Sequence, residues 1–179
     1  MKGSYLLVAA ILLMVGGCHA SASQGTMPGT PSSSSLIGAW RLIETQAYNQ
    51  EGEKVYDPEV QTGLFLFTDA HYSIMWTREP RPPAVQHWKA TDEERLASFN
   101  TLIAHAGRYT KTDTTLHVFA EAAKSPEFVG GTEVFSYRIE GDTLLLTAQD
   151  AESVEGIHVA FYEAGGRQEY WLLRVAPEE

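Results

Sequence analysis

The sequence predicts an all-β fold, a small antiparallel up-and-down barrel of about eight to ten strands with one inserted α-helix. Three observations carry this expectation. Apolar residues recur with a period of two in run after run, the mark of strands with one buried face. Short turn sequences separate the runs, so neighbours along the chain default to antiparallel pairing. One segment, at about residues 92–104, switches to helical spacing. The chain has 179 residues, 44% hydrophobic and 20% charged, too short for two ordinary domains and too apolar for a disordered chain. Its formal charge of −10 supplies no basic footprint and argues against nucleic acid as a partner. A single cysteine, Cys18, excludes an intrachain disulfide and a Cys-rich zinc site.

Residues 1–17 read as an address. Lys2 is followed by the uncharged run Leu6–Val15 and then Gly16-Gly17-Cys18. Ten apolar residues are too few to span a bilayer core of about 30 Å, which needs about 20 helical residues. A charged start, an apolar middle and small residues at the cut fit a signal peptide instead. Val15-Gly16-Gly17-Cys18 resembles a bacterial lipobox, whose cysteine becomes the lipidated first residue of the mature chain. Ordinary secretion with an incidental cysteine is the plainer alternative, but the sole cysteine falls where a lipobox requires it. Stable anchoring takes two or more acyl chains, each buried CH₂ contributing about 0.8 kcal/mol. Loss of Lys2 leaves 12 bases against 23 acids, a side-chain charge of 12 − 23 = −11. By resemblance to Gram-negative lipoproteins, His19 in place of Asp after the cysteine implies the outer membrane, facing the periplasm. Residues 18–35 then form a Ser/Gly/Pro-rich tether with too little apolar surface to fold.

The folded unit is expected over residues 36–176. Leu36, Trp40 and Leu42 open it at even spacing, and Tyr72, Ile74 and Trp76 alternate with polar neighbours. Thr91 is a candidate N-cap with Glu94 three residues on, a capping box, and Leu96, Phe99, Leu102 and Ile103 form the apolar stripe of the helix. Phe135, Tyr137 and Ile139 continue the strands, followed by Leu144 and Leu146, then Ile157, Val159 and Phe161, and finally Tyr170–Val175. Turns are expected at Thr68-Asp69-Ala70, Thr112-Asp113-Thr114, Gly141-Asp142 and Gly165-Gly166. The proline-stiffened stretch at 78–83 and the helix make an excursion of about 25 residues, long for a compact domain. It reads as a lid over the barrel mouth, with Trp88 and Phe99 toward a ligand, or as a helix packed on the barrel's outside.

Gly38-Ala39-Trp40 resembles the opening G-x-W segment of lipocalins and of bacterial lipocalin-like domains. The resemblance implies that Gly38 lets the chain close the barrel bottom, that Trp40 plugs it, and that Arg174 packs across the indole. Gly63–Thr68 with Tyr72-Ser73-Ile74, Ala104–Thr110, Leu116-His117-Val118, Pro126, Gly131-Thr132 and Gly141–Thr147 follow in the order of the lipocalin-like family. The likeness is good over residues 36–148 and weaker to Gly166, where residues 156–161 are expected to add a strand. It implies a fold more than an activity.

Alternation places Tyr72 and Trp76 on one face and His117 and Phe119 on another, with Glu121 at the same parity; Tyr109, Phe135 and Tyr137 come from neighbouring runs. Together with Phe99 these eight aromatic and histidine residues are the candidate walls of a site for a small apolar molecule. The same residues could simply fill a core, since barrels of this size lie at the boundary between filled and hollow. His105 or His117, with Tyr109 and Glu121, could form an acid–base group. No nucleophile elbow, P-loop or dinucleotide glycine motif accompanies them, and the histidines lack metal-ligand spacing, so no cofactor or metal is expected. Three functions therefore stand at this level: a ligand-binding barrel at the envelope, a barrel enzyme using His/Tyr chemistry on a hydrophobic substrate, and a filled-core domain docking a partner. Oligomeric state has no signal in the sequence.

Overall fold

Alternation in the sequence becomes one sheet wrapped onto itself. The structure, a computed structural model, describes residues 35–57, 62–78 and 89–176. Its strands are β1 (Gly38–Tyr48), β2 (Lys54–Tyr56), β3 (Thr62–Phe67), β4 (His71–Thr77), β5 (Leu102–Lys111), β6 (Thr115–Ala123), β7 (Thr132–Glu140), β8 (Thr143–Glu152) and β9 (Arg167–Arg174). Helix α1 (Asp92–Thr101) precedes β5, a 3₁₀ turn (Pro126–Phe128) precedes β7, and the short α2 (Ala160–Glu163) precedes β9. Strands β3 to β9 pair antiparallel with their chain neighbours. β1 closes the ring: it pairs β3 along its first half, from Gly38↔Phe67 to Arg41↔Leu64, and β9 from Trp40↔Arg174 to Tyr48↔Arg167. The result is a closed eight-strand barrel, with β2 a short addition on the far half of β1.

Inside lies a core of Trp40, Phe65, Leu116, Val118, Phe135, Leu144, Leu146 and Leu172. Three bulges within the eight barrel strands bend them and reverse which parity faces inward. In β1 the pairing slips between Leu42 and Glu44, so inward positions change from Trp40 and Leu42 to Thr45 and Ala47. In β8 the slip comes at Gln149, after buried Ala148 and before buried Ala151. The third falls opposite Gly107, where β6 carries Glu121 as the extra residue.

The helix starts where the capping box places it: Glu94 N donates to Thr91 Oγ1 at 3.2 Å, and Thr91 N donates to Glu94 Oε2 at 2.7 Å. It ends at Thr101 rather than 104, because β4 captures the next residues as strand, Thr77↔Leu102 and Trp76↔Ile103. The expected stripe is thereby split. Leu96 and Phe99 remain exposed, and none of the helix residues is buried. Arg78 caps the helix from the end of β4, its backbone N–H donating to Thr101 O at 3.1 Å and Nη2 to Asn100 O at 3.1 Å. A guanidinium at this C-terminus supplies the positive charge that the helix's own last turn lacks. The strand expected at 156–161 is also corrected. Ile157 and Val159 face solvent, a single bridge joins Glu152 to His158, and the chain then turns into α2.

Candidate functional site

The two ends of the barrel differ. At one end the residues expected to close the bottom meet. Trp40 is fully buried and its Nε1 donates to Leu36 O at 2.8 Å. The Arg174 guanidinium lies over the indole, 4.1 Å from its centroid, and donates to Ile37 O at 3.2 Å and Ser35 O at 2.7 Å. Tyr109 and Tyr137 belong to this end as well. Their hydroxyls donate to Thr68 O at 2.5 Å and Thr112 O at 2.8 Å, within the β3–β4 and β5–β6 turns. Both hydroxyls are thus committed to backbone carbonyls.

At the opposite end a cavity of about 590 Å³ opens between the ends of β4 to β9, within the range of about 300–1,000 Å³ usual for small-molecule sites. Its walls are largely apolar: Trp76, Ile103, Phe128, Ala151, Tyr162 and Tyr170. The 3₁₀ turn and α2 build part of the rim, where Val154, Ile157 and Val159 stand exposed. Tyr170 organises the inner wall. Its ring lies 5.8 Å from both Phe65 and Trp76 and 6.4 Å from Phe135, tilted or edge-on in each case. The indole N–H of Trp76 is buried and has no hydrogen-bond partner among the described residues.

The polar part of the wall is a buried row on three strands. Tyr72 of β4 shares a 3.0 Å hydrogen bond with Nδ1 of His105 on β5, and His105 Nε2 lies 3.6 Å from Glu133 Oε2 on β7. When the tyrosine donates, the imidazole proton sits on Nε2, facing Glu133. Phe128 covers the imidazole edge-on at 5.2 Å. Burial pushes the Glu133 carboxyl up to about 8 and the His105 imidazole down to about 4. At neutral pH the pair is therefore an uncharged imidazole beside a protonated carboxyl, not an ion pair. Burial, followed by the field of Glu133, also raises the hydroxyls of Tyr72 and Tyr162. Tyr170 is raised by burial, then by Tyr162 and Glu133.

Of the eight candidate wall residues, Trp76 lines this cavity directly, and Tyr72 stands behind it through His105. Phe135 is buried in the core below, against Tyr170. The interior placement expected for His117 and Phe119 is corrected. Leu116, Val118 and Ala120 fill the inward positions of β6, which leaves the polar parity of His117 and Glu121, and Phe119 with it, on the outer face. Phe99 is half exposed and packs under Lys124 Nζ, 4.7 Å from its ring centroid, beside the rim and not in the wall. Trp88 and Cys18 lie outside the described residues. Glu133, not among the expected wall residues, continues the inward parity of Phe135, Tyr137 and Ile139. An acid on the core-facing parity of a strand was the available signal. Among the described residues, no three His, Cys, Asp or Glu side chains gather as a metal set.

This geometry agrees with the comparison to known families. A family model described as a lipocalin-like domain matches residues 37–160, more than half of the chain. No curated protein and no solved structure matches. The match begins just before the Gly38-Ala39-Trp40 segment and runs through β8 to the start of α2. The closed antiparallel barrel supports it independently. The chain belongs to the lipocalin-like domain family.

Proposed function

We propose that the domain binds a small, largely apolar molecule in its barrel, and does so at the cell envelope, held on the membrane by acyl chains on Cys18. The observation that carries the binding reading is the cavity of about 590 Å³, open at one end of a barrel whose other end is sealed by Trp40 and Arg174. Burying about 200 Å² of apolar ligand surface at about 25 cal/mol per Å² contributes about 5 kcal/mol before the costs of association. The orphan N–H of Trp76 offers a donor to an acceptor on the ligand. A void of this size also counts against the filled-core reading. The envelope address rests on Val15-Gly16-Gly17-Cys18 and on His19.

Ala151 is buried and lines the cavity, so Ala151→Phe fills it. Envelope lipids are passed over the whole chain and the retained molecules read by mass spectrometry. Retention that drops at least tenfold with Ala151→Phe, and stays unchanged with His117→Ala on the outer face, supports binding in the barrel. Equal retention by all three would sink it.

A second reading, acid–base chemistry on a hydrophobic substrate, is favoured by the row Tyr72–His105–Glu133. A protonated buried carboxyl next to a neutral imidazole can donate and accept a proton in a water-poor site. Conversion of the retained molecule, lost in His105→Ala, decides for catalysis; retention without conversion decides for binding.

A further inference from the structure

Glu133 is the inward residue two before Phe135, at a position where a barrel strand ordinarily carries an aliphatic side chain. Burying a carboxyl without a counter-charge is costly, and such groups persist where something outside the fold uses them. Among the described residues, no Lys or Arg nitrogen comes within 4.0 Å of its carboxylate oxygens, and its neighbour at 3.6 Å is an imidazole that burial keeps neutral. The wall around it is aromatic, from Trp76, Phe128, Tyr162 and Tyr170. Aromatic faces attract a cation through the ring quadrupole, and a carboxylate neutralises it. At the rim Glu127, Glu152 and Glu155 outnumber Arg78 and Lys124, so the approach is also biased toward positive charge.

We propose that the cavity takes an apolar molecule carrying a protonated amine, with the ammonium beside Glu133 and the hydrocarbon against Trp76 and Tyr170. The inference rests on the reading that the cavity binds a ligand, and specifies the chemical class. An anionic head would meet four acids. A neutral head would leave Glu133 protonated and gain no charge attraction from it.

Binding an ammonium displaces the proton from Glu133, so affinity rises with pH until that carboxyl is ionised. The groups facing it are Tyr72 on β4, His105 on β5, Tyr162 on α2 and Tyr170 on β9. Burial keeps the tyrosines protonated, and His105 neutral down to about 4, so none of them titrates between pH 6.5 and 7.5. His158 on the rim is raised by its hydrogen bond to Asp150, and His158→Gln isolates its share.

The experiment compares octylamine, octanol and octanoate, which share one chain and differ in head group, by calorimetric titration of the whole chain. Octylamine is expected to bind about tenfold or more tighter than octanol at pH 7.5, with octanoate weakest. Its affinity should rise about eightfold from pH 6.5 to 7.5, as follows from a carboxyl titrating at about 8. Glu133→Gln should remove both the amine preference and the pH dependence and keep octanol affinity, which also shows that the barrel is folded. Octanol binding as tightly as octylamine, or an amine preference that survives Glu133→Gln, overturns the amine and leaves the binding reading intact. No binding of any of the three overturns both.

Discussion

The Arg174 guanidinium sits 4.1 Å from the centroid of the Trp40 ring and joins the first strand of the barrel to the last. Two carbonyls, of Ile37 and Ser35, take its N–H groups, and Asp142 lies 3.6 Å from Nε. Cation–π attraction contributes about 0.5–2 kcal/mol, and hydrogen bonds to a charged group about 1.5–3 kcal/mol each at most. Arg174→Ala is therefore expected to destabilise the domain by about 2–4 kcal/mol. Arg174→Lys should recover only part of this, because an ammonium cannot cover the ring and fork two carbonyls together. Urea unfolding followed by Trp fluorescence measures both.

Gly107 lies opposite the bulge of β6, and a Cβ there would stand 2.0 Å from the carbonyl oxygen of Phe119. No side-chain rotation relieves a clash with backbone. Gly107→Ala should separate β5 from β6 near the cavity and cost more than about 3 kcal/mol. Gly38→Ala is expected to be milder: its φ of 140° disfavours a side chain, and the Cβ would meet Arg174 Nη1 at 3.2 Å, a group that can shift. A cost of about 1–3 kcal/mol follows. Thermal unfolding of the two variants side by side tests the order.

Stability should fall as pH rises from about 6.5 to 8. The folded state holds a proton on Glu133 up to about 8, whereas the unfolded carboxyl loses it near its ordinary 4.5. Between those values the native state binds more protons, so raising pH favours unfolding. His105 acts in the opposite sense: held neutral down to about 4 against an ordinary 6.5, it favours the native state as pH rises through that window. The two offset each other between about 4.5 and 6.5; above that Glu133 dominates, and His158, raised by its hydrogen bond to Asp150, works in the same sense. The loss expected from Glu133 between pH 6.5 and 8 is about 1–2 kcal/mol, and it disappears in Glu133→Gln. Denaturant midpoints across this range in both proteins would expose the error if the variant kept the slope.

Cys18→Ser should move the chain from the membrane pellet to the soluble fraction of the envelope, since the proposed acyl chains would have no attachment point. Phase partition of both proteins in a cloud-point detergent provides the measurement. A wild-type chain that enters the aqueous phase would contradict the anchor.

Within the sequence alone, the β class, the sites of most turns, the capped start of the helix and the inward parity of Tyr72, Trp76, Phe135 and Leu144 were legible, because each depends on local spacing and local backbone chemistry. The family likeness was legible from the same ordered segments. What the tertiary structure decided involves partners distant in the chain. The helix ends at Thr101 because β4 pairs with Leu102 and Ile103, and residues 156–159 form no strand because they meet the end of β8 only through the Glu152–His158 bridge before the chain turns into α2. Bulges in β1 and β8 reverse the inward parity part-way along each strand, which no fixed period predicts. His117 and His105 look alike in sequence; only the packing of Leu116 and Val118 sends one to water, and only the pairing of β4 with β5 sets the other beside Tyr72. Spacing along one strand specifies which residues share a face. Closing eight strands into a ring decides which faces meet, and so where Glu133 and the cavity lie.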